Sequence, residues 1–128
     1  ALCERYDMAA INRGPLAMGL LTGKYTAETK PSIDDVRGAK RPEWMKYFAD
    51  GRPNPEWLTK RDAISEILCS NGRTVSQGAL AWLWARSPQT IPIPGFRNVK
   101  QVEENTAAMD FGSLTAEQMA KIDRLLER

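Results

Sequence analysis

Apolar positions along this chain fall into short runs with two different spacings. Residues 8–12 (Met-Ala-Ala-Ile-Asn) and Thr90-Ile91-Pro92-Ile93 are brief continuous apolar stretches, the pattern of buried parallel strands. Elsewhere the apolar residues recur at helical spacing. Asn54-Pro55 is an N-cap followed by proline at the first helical position, and Trp57, Ile64, Ile67 and Leu68 give the helix it opens one apolar face, which Asn71-Gly72 closes. Thr74 caps a second helix whose Val75, Ala79, Leu80, Trp82, Leu83, Trp84 and Ala85 cover most of its circumference; burial on several sides is expected until Ser87-Pro88 ends it. Asn98 with Gln101, and Thr115 with Gln118, have the spacing of capping boxes and open two more helices. The last of these carries Met119, Ile122, Leu125 and Leu126 on one stripe. Residues 1–6 read as the final turns of a helix, 15–25 as a packed apolar loop, and 26–42 as a polar surface loop. Residues 43–49 read as a short helix stopped by Asp50-Gly51.

Helix and strand alternate, so the fold class is α/β. Two strands make a poor sheet, and parallel strands need cover on both faces. The chain is therefore expected to be a single partial domain, residues 1–128, of a larger layered or barrel fold. Its first residues, Ala1-Leu2-Cys3-Glu4-Arg5-Tyr6-Asp7, have no initiator methionine and no signal-peptide shape, and read as a helix already under way. Unpaired edges at 8–12 and 90–93 predict dimers, higher oligomers or a non-barrel packing for the chain on its own.

Composition mostly removes options. With 18 Lys+Arg against 16 Asp+Glu, the net charge is +2. That balance, without a basic block, argues against nucleic acid or a membrane surface as partner. No apolar run approaches the roughly 20 residues of a membrane span. The absence of histidine excludes Ser-His-Asp, Cys-His and histidine-based metal chemistry within the chain, and no metal site is expected. Cys3 and Cys69 have no ligand spacing and read as reduced, partly buried thiols of a cytoplasmic protein.

The positive chemistry lies in Ile91-Pro92-Ile93-Pro94-Gly95-Phe96-Arg97, which runs into Asn98 and a helix. A strand ends in Pro-Gly, an arginine follows, and a helix opens. Unpaired N–H groups at a helix start attract anions, and a guanidinium adds a fork of donors matched to phosphate oxygens.

Two segments in register resemble the aldo-keto reductase family, a (β/α)8 TIM barrel. The first is Asn12-Arg13-Gly14-Pro15-Leu16-Ala17-Met18-Gly19-Leu20-Leu21-Thr22-Gly23-Lys24-Tyr25, similar to the stretch after the family's seventh strand. The second is Pro94-Gly95-Phe96-Arg97 with Gln101, Glu104 and Asn105, similar to its cofactor segment after the eighth. The resemblance covers nearly the whole chain and implies the last two strands of the barrel with a mostly helical remainder. It also implies an NADP cofactor across the barrel mouth and, in the full-length protein, hydride transfer between NADPH and a small aldehyde or ketone. By position, Gly14, Pro15, Leu16, Gly19 and Lys24 would line the pyrophosphate side. Gly95 and Phe96 would lie along the cofactor, Gly95 because a Cβ there would block close approach. Arg97 would meet the 2′-phosphate, and Gln101, Glu104 and Asn105 the adenine-ribose end. Arg37, in Asp34-Asp35-Val36-Arg37, would clamp from the long loop.

Two positions depart from the family pattern. Arg13 stands where an aromatic residue often stacks on the nicotinamide, and Gly14 where serine is common. The family's catalytic Asp, Tyr, Lys and His have no counterpart, so no catalytic residue is assigned and the chain alone is expected to be inactive. An alternative from the same residues is a non-catalytic NADP-binding module, completed by a partner or by self-association. Some residues keep two readings. Lys24 is a cofactor ligand or a plain loop lysine; Gln101 serves as cap, ligand or both. Trp44, Tyr47 and Phe48 shape a substrate loop or form a small packed cluster. Glu103 reads as exposed helix surface, and Trp82 and Trp84 as core.

Overall fold

A computed structural model of the chain describes residues 2–38, 40 and 42–128. Ala1, Ala39 and Arg41 lie outside the described residues, and with them one residue of the expected N-terminal helix and two of the expected surface loop. A short helix, α1 (Leu2–Arg5), leads into strand β1 (Ala10–Arg13). Two-residue strands β2 (Phe48–Ala49) and β3 (Arg52–Pro53) follow the long loop, then α2 (Pro55–Leu68) and α3 (Val75–Arg86). Strand β4 (Thr90–Ile93), α4 (Val99–Ala107) and α5 (Ala116–Leu125) complete the chain.

β1 and β4 form a two-stranded parallel pair, in register from Ala10↔Thr90 to Arg13↔Ile93. This is the parallel arrangement expected of the two apolar runs, but not the expected burial: Ile11, Ile91 and Ile93 are exposed, because nothing among the described residues covers that face. β2 and β3 form a separate antiparallel hairpin, which overturns the short helix expected over 43–49. Asp50 and Gly51 sit at its tip with φ of 51° and 69°. Two successive positive-φ residues make the tight turn whose twist matches a hairpin, and Asp-Gly supplies them at low cost. Local turn chemistry outweighs the weak helical pattern of Trp44 to Phe48.

The caps behave largely as their sequences dictate. Asn54 accepts from Glu56 N, and Pro55 occupies the first helical position of α2. Thr74–Gln77 and Thr115–Gln118 are complete, reciprocal capping boxes. At Asn98 the box is shifted. Asn98 Oδ1 accepts from Gln101 N, while Gln101 Oε1 accepts from Arg97 N rather than from the cap residue. α2 ends at Leu68, a little before Asn71-Gly72. Those two residues, with φ of 60° and 81°, turn the chain back into α3.

α3 is the centre of the packing. Its residues Ser76 to Ala81 are all buried. One core joins Ile64, Ile67 and Leu68 of α2 to Ala81 of α3, Ile122 of α5 and Leu114. A second joins Leu16, Ala79, Leu80 and Ala108. Trp82 and Trp84 pack half-buried against these cores, as expected. On α5 the expected stripe is narrower: Ile122 is fully buried and Met119 and Leu126 pack on the core, but Leu125 faces solvent. Leu125 precedes Leu126 directly, and adjacent helical positions point about 100° apart, so only one of the two can meet the core. Cys69 is exposed rather than partly buried, because it caps α2 on the outside of the turn; both cysteines are free.

Candidate functional site

Parallel pairing is what assembles the site. Because Arg13 and Ile93 are register partners, both strands end side by side, and the segments 14–25 and 94–98 leave from the same edge. The first segment cannot run as a regular helix. Ala17, Met18 and Gly19 have φ of 49°, 56° and 92°, and the chain winds through tight turns over Ala17–Thr22. Gly19 is needed by the fold itself: a Cβ there would lie 3.2 Å from Tyr25 Cε2 and 3.4 Å from Arg37 Nη1, on top of an unfavourable φ.

Arg37 is the hinge pin of this region. Its Nε and Nη2 donate to the two carboxylate oxygens of Asp35 at 2.6 and 2.7 Å. Its Nη1 donates to Tyr25 Oη at 2.6 Å and to the Met18 carbonyl at 3.2 Å. The guanidinium is buried, and it fastens the loop to the turn over 17–25. The hydrogen bonds from Arg37 outweigh the cost of burial and hold the Asp35 carboxyl down to about 2. Asp35 is therefore ionised at any ordinary pH.

The second segment stands in the open. The Arg97 side chain is 76% exposed, and its Nη2 lies 3.9 Å from Asp35 Oδ2. This contact joins the loop to the segment after β4, so Arg97, Asp35, Arg37, Tyr25 and Gly19 form one cluster. Gln101 belongs to it through its 2.7 Å bond to the Arg97 N–H, which sets the direction of the backbone there. A Cβ built on Gly95 would meet nothing within 4 Å, and the residue has no positive φ. Nothing among the described residues requires glycine at that position.

The other candidates divide. Pro15 is half-buried and Gly14 exposed at the end of β1, where Arg13 is exposed as well. Lys24 is exposed, with Nζ 4.9 Å from the centre of the Tyr25 ring. Phe96 is exposed, and Asn105 half-buried. Leu16 points into the core beside Ala79 and Leu80, which leaves only its backbone to face a ligand. Glu104 is held from α3: its Oε1 accepts from Thr74 Oγ1 at 2.7 Å and its carbonyl from Gln77 Nε2 at 3.0 Å. Phe48 is fully buried and packs edge-on against Tyr25, while Tyr47 packs on Trp57 and Trp44 is exposed. The packed-cluster reading thus fits Tyr47 and Phe48.

From sequence, Asp35, Tyr25 and Gln77 carry no assigned role, and Thr74 only that of a helix cap. The alternation of acid and base at Asp35 and Arg37 was a signal for the first. Thr74 stands out locally as a cap, but nothing local singles out Gln77 or shows the reach of either residue to α4.

An apolar cavity of about 720 Å³ opens beside β1, lined by Ile11, Trp57, Ile64 and Trp82 among others, and reaches Arg13 at one end. α2, α3 and α5 supply about half of its wall, and β1 with the segment after it, Gly14 and Pro15 included, supplies most of the rest. Its apolar lining has the character of a packing surface rather than of a phosphate site. Among the described residues, no group of three or more His, Cys, Asp or Glu could hold a metal ion, and no helix is long and apolar enough to cross a membrane.

Comparison with known proteins places these residues in context. The aldo/keto reductase family model matches residues 1–127. The chain is 31% identical over 119 residues to the chloroplastic pyridoxal reductase of Arabidopsis thaliana, covering 93% of this chain and 29% of that protein. It is 34% identical over 108 residues to a Schizosaccharomyces pombe aldo-keto reductase, yakc, whose name carries NADP(+); 84% of this chain and 30% of the relative are covered. It is 33% identical over 130 residues to a putative voltage-gated potassium channel subunit beta of the same yeast, covering 98% of this chain and 36% of that protein. The chain thus spans about a third of the length of these relatives.

Proposed function

The chain belongs to the aldo/keto reductase family, and from that membership we propose that it is the cofactor-holding C-terminal portion of an NADPH-dependent reductase of aldehydes or ketones. In this reading β1 and β4 are the seventh and eighth strands of a (β/α)8 barrel, residues 1–128 are one partial domain of it, and the setting is cytoplasmic. The cavity beside β1 then marks where preceding strands and helices pack.

One observation carries the proposal. The parallel register Arg13↔Ile93 starts both glycine-bearing segments from one edge, where phosphate sites of such barrels lie. The residues also fit the cofactor. Among the described residues nothing requires glycine at Gly95, and a phosphate or sugar drawn close to its backbone supplies a reason. Arg97 is exposed, with a fork of donors suited to a 2′-phosphate. Gln101 orients the backbone at Arg97, and Glu104 and Asn105 lie further along α4 at the adenine-ribose end. Gly14, Pro15, Gly19 and Lys24 border the pyrophosphate, with Leu16 contributing backbone alone. Phe96 flanks the cofactor, and Arg13 lies at the nicotinamide end. Arg37 holds the loop in place beside them.

When bound, the nicotinamide supplies the hydride. The work of this chain is to bind and orient the cofactor, while the acid that protonates the carbonyl oxygen belongs to segments outside it. The chain alone is expected to show no reduction of a small aldehyde above a cofactor-only blank.

The test is a fluorescence titration of the chain with NADPH and NADH. Saturable micromolar NADPH binding is expected. Arg97→Ala should weaken NADPH by about tenfold, about 1.4 kcal/mol, and NADH much less. No saturable binding, or equal losses for both cofactors, would sink the reading.

A second reading is a non-catalytic NADP-binding module completed by a partner or by a second copy. It is favoured by the exposed Ile11, Ile91 and Ile93 on the parallel pair, and by the relative named as a channel beta subunit. Dimers or larger species are its expected result in light scattering; a clean monomer with a cooperative melt counts against it.

A further inference from the structure

We infer that Thr74 and Gln77, the capping box of α3, are positioning residues for the adenine end of the cofactor site. The inference rests on the cofactor reading above and extends it to residues that reading does not use. Each of the two side chains makes one bond on its own helix and a second on α4. Thr74 Oγ1 accepts from Gln77 N at 3.2 Å and donates to Glu104 Oε1 at 2.7 Å. Gln77 Oε1 accepts from Thr74 N at 2.9 Å, and its Nε2 donates to the Glu104 carbonyl at 3.0 Å. A cap needs only the first bond of each pair. The second bonds grip Glu104 twice, by carboxylate and by backbone.

That grip fixes both the height and the rotation of α4. The bond to the carboxylate is charge-assisted, which makes it the stronger of the two. Just beyond α4, the fully buried Ala108 packs with Ala79 and Leu80 of α3, so the contact between the helices continues below the grip. Gln101 lies three residues before Glu104, on the same side of the helix, and its side chain holds the Arg97 N–H. Turning α4 therefore moves Glu104 and Arg97 together. Thr74 acts through Glu104, and the Glu104 carboxylate keeps a second oxygen for a ligand hydroxyl or amine.

Two substitutions separate capping from positioning. Thr74→Ser keeps the hydroxyl and both bonds. Thr74→Asp keeps a good N-cap acceptor, but it cannot donate and sets a second carboxylate against Glu104. The readouts are affinity of the 128-residue chain for adenosine 2′,5′-bisphosphate, thermal midpoint, and amide exchange of residues 99–107. The serine variant is expected to bind within about twofold of wild type. The aspartate variant is expected to melt near wild type yet bind about tenfold more weakly, a loss of about 1.4 kcal/mol, with faster exchange in α4 and unchanged exchange in α3. Wild-type affinity and exchange in the aspartate variant would overturn the inference, as would equal losses in both variants. A wild-type chain that does not bind the nucleotide removes the cofactor reading and this inference together. Intact wild-type binding with an indifferent aspartate variant removes this inference alone.

Discussion

Gly78→Ala is expected to destabilise the chain by about 3 kcal/mol, the upper end of what an overpacked core costs. The sign is opposite to helix propensity, which favours alanine over glycine by roughly 1 kcal/mol in a helix interior. Gly78 lies in α3 where it crosses α2. A Cβ there would fall 2.2 Å from the Leu68 carbonyl oxygen and 2.6 Å from Leu68 C and Cα. All three are backbone atoms, so no side chain can swing aside and the two helices must separate. The layer they enclose, Leu68, Ala81 and Ile122, is almost fully buried and would open with them. Urea unfolding of Gly78→Ala beside Gly95→Ala makes the comparison, because Gly95 has open space around it. The Gly95 variant should match wild type in stability and lose NADPH affinity. A Gly78 variant as stable as wild type would show that the helices do not approach this closely.

The second large effect is expected at Arg37. Arg37→Gln should cost about 3 kcal/mol, because it strips a largely buried carboxylate of its hydrogen-bonded partner and leaves Asp35 only the Arg97 guanidinium at 3.9 Å. The side chains of Arg37 and Asp35 are only 10% and 19% exposed, so solvent cannot replace the lost bonds. The variant also frees the loop from Tyr25 and Met18, and limited proteolysis should cut within residues 26–42 faster than in wild type. Acid gives an independent measurement of the same pair. The Asp35 carboxyl is held down to about 2 in the folded chain, against 3.8 for an unperturbed aspartate, and a depressed folded value means that its stabilisation is present above the unfolded value. It is complete above about pH 5 and lost as pH falls towards 2, worth about 2 kcal/mol. Urea midpoints of wild type and Asp35→Asn should therefore converge on acidification from pH 5 to pH 2.5. A constant gap over that range would mean that the Asp35 carboxylate contributes nothing through its charge.

Helix starts were legible from single residues because capping is local. Asn54-Pro55, Thr74, and Thr115 with Gln118 carry acceptors that satisfy N–H groups two or three positions away, and no distant contact is needed. Both apolar runs became strands for a similar reason, since each is short, continuous and bounded by turn residues. Residues 43–49 failed because two local signals competed. The apolar spacing suggested a helix, and the backbone demand of Asp50-Gly51 fixed a hairpin instead.

The candidate site was legible as a set of segments and not as an arrangement. Gly95, Arg97 and Gln101 could be picked out because a strand, a glycine, an arginine and a helix start follow one another. Leu16 looked like a member of the same lining until packing turned its side chain into the core. Arg37 looked like a ligand clamp from a loose loop, yet it is the buried post to which that loop is tied. Glu104 showed nothing of its partners, which lie on α3.

The sequence by itself determined the α/β class, the helix caps, the two parallel strands and the family whose phosphate segments these resemble. Each of those follows from neighbours within a few residues or from a motif read in order. Only the tertiary structure decided that Arg13 and Ile93 lie side by side, that Asp35 sits between Arg37 and Arg97, and that the cap of α3 grips α4. Those contacts join residues far apart in the chain. They form only when burial of the apolar faces of α2, α3 and α5 offsets the chain entropy lost in bringing them together.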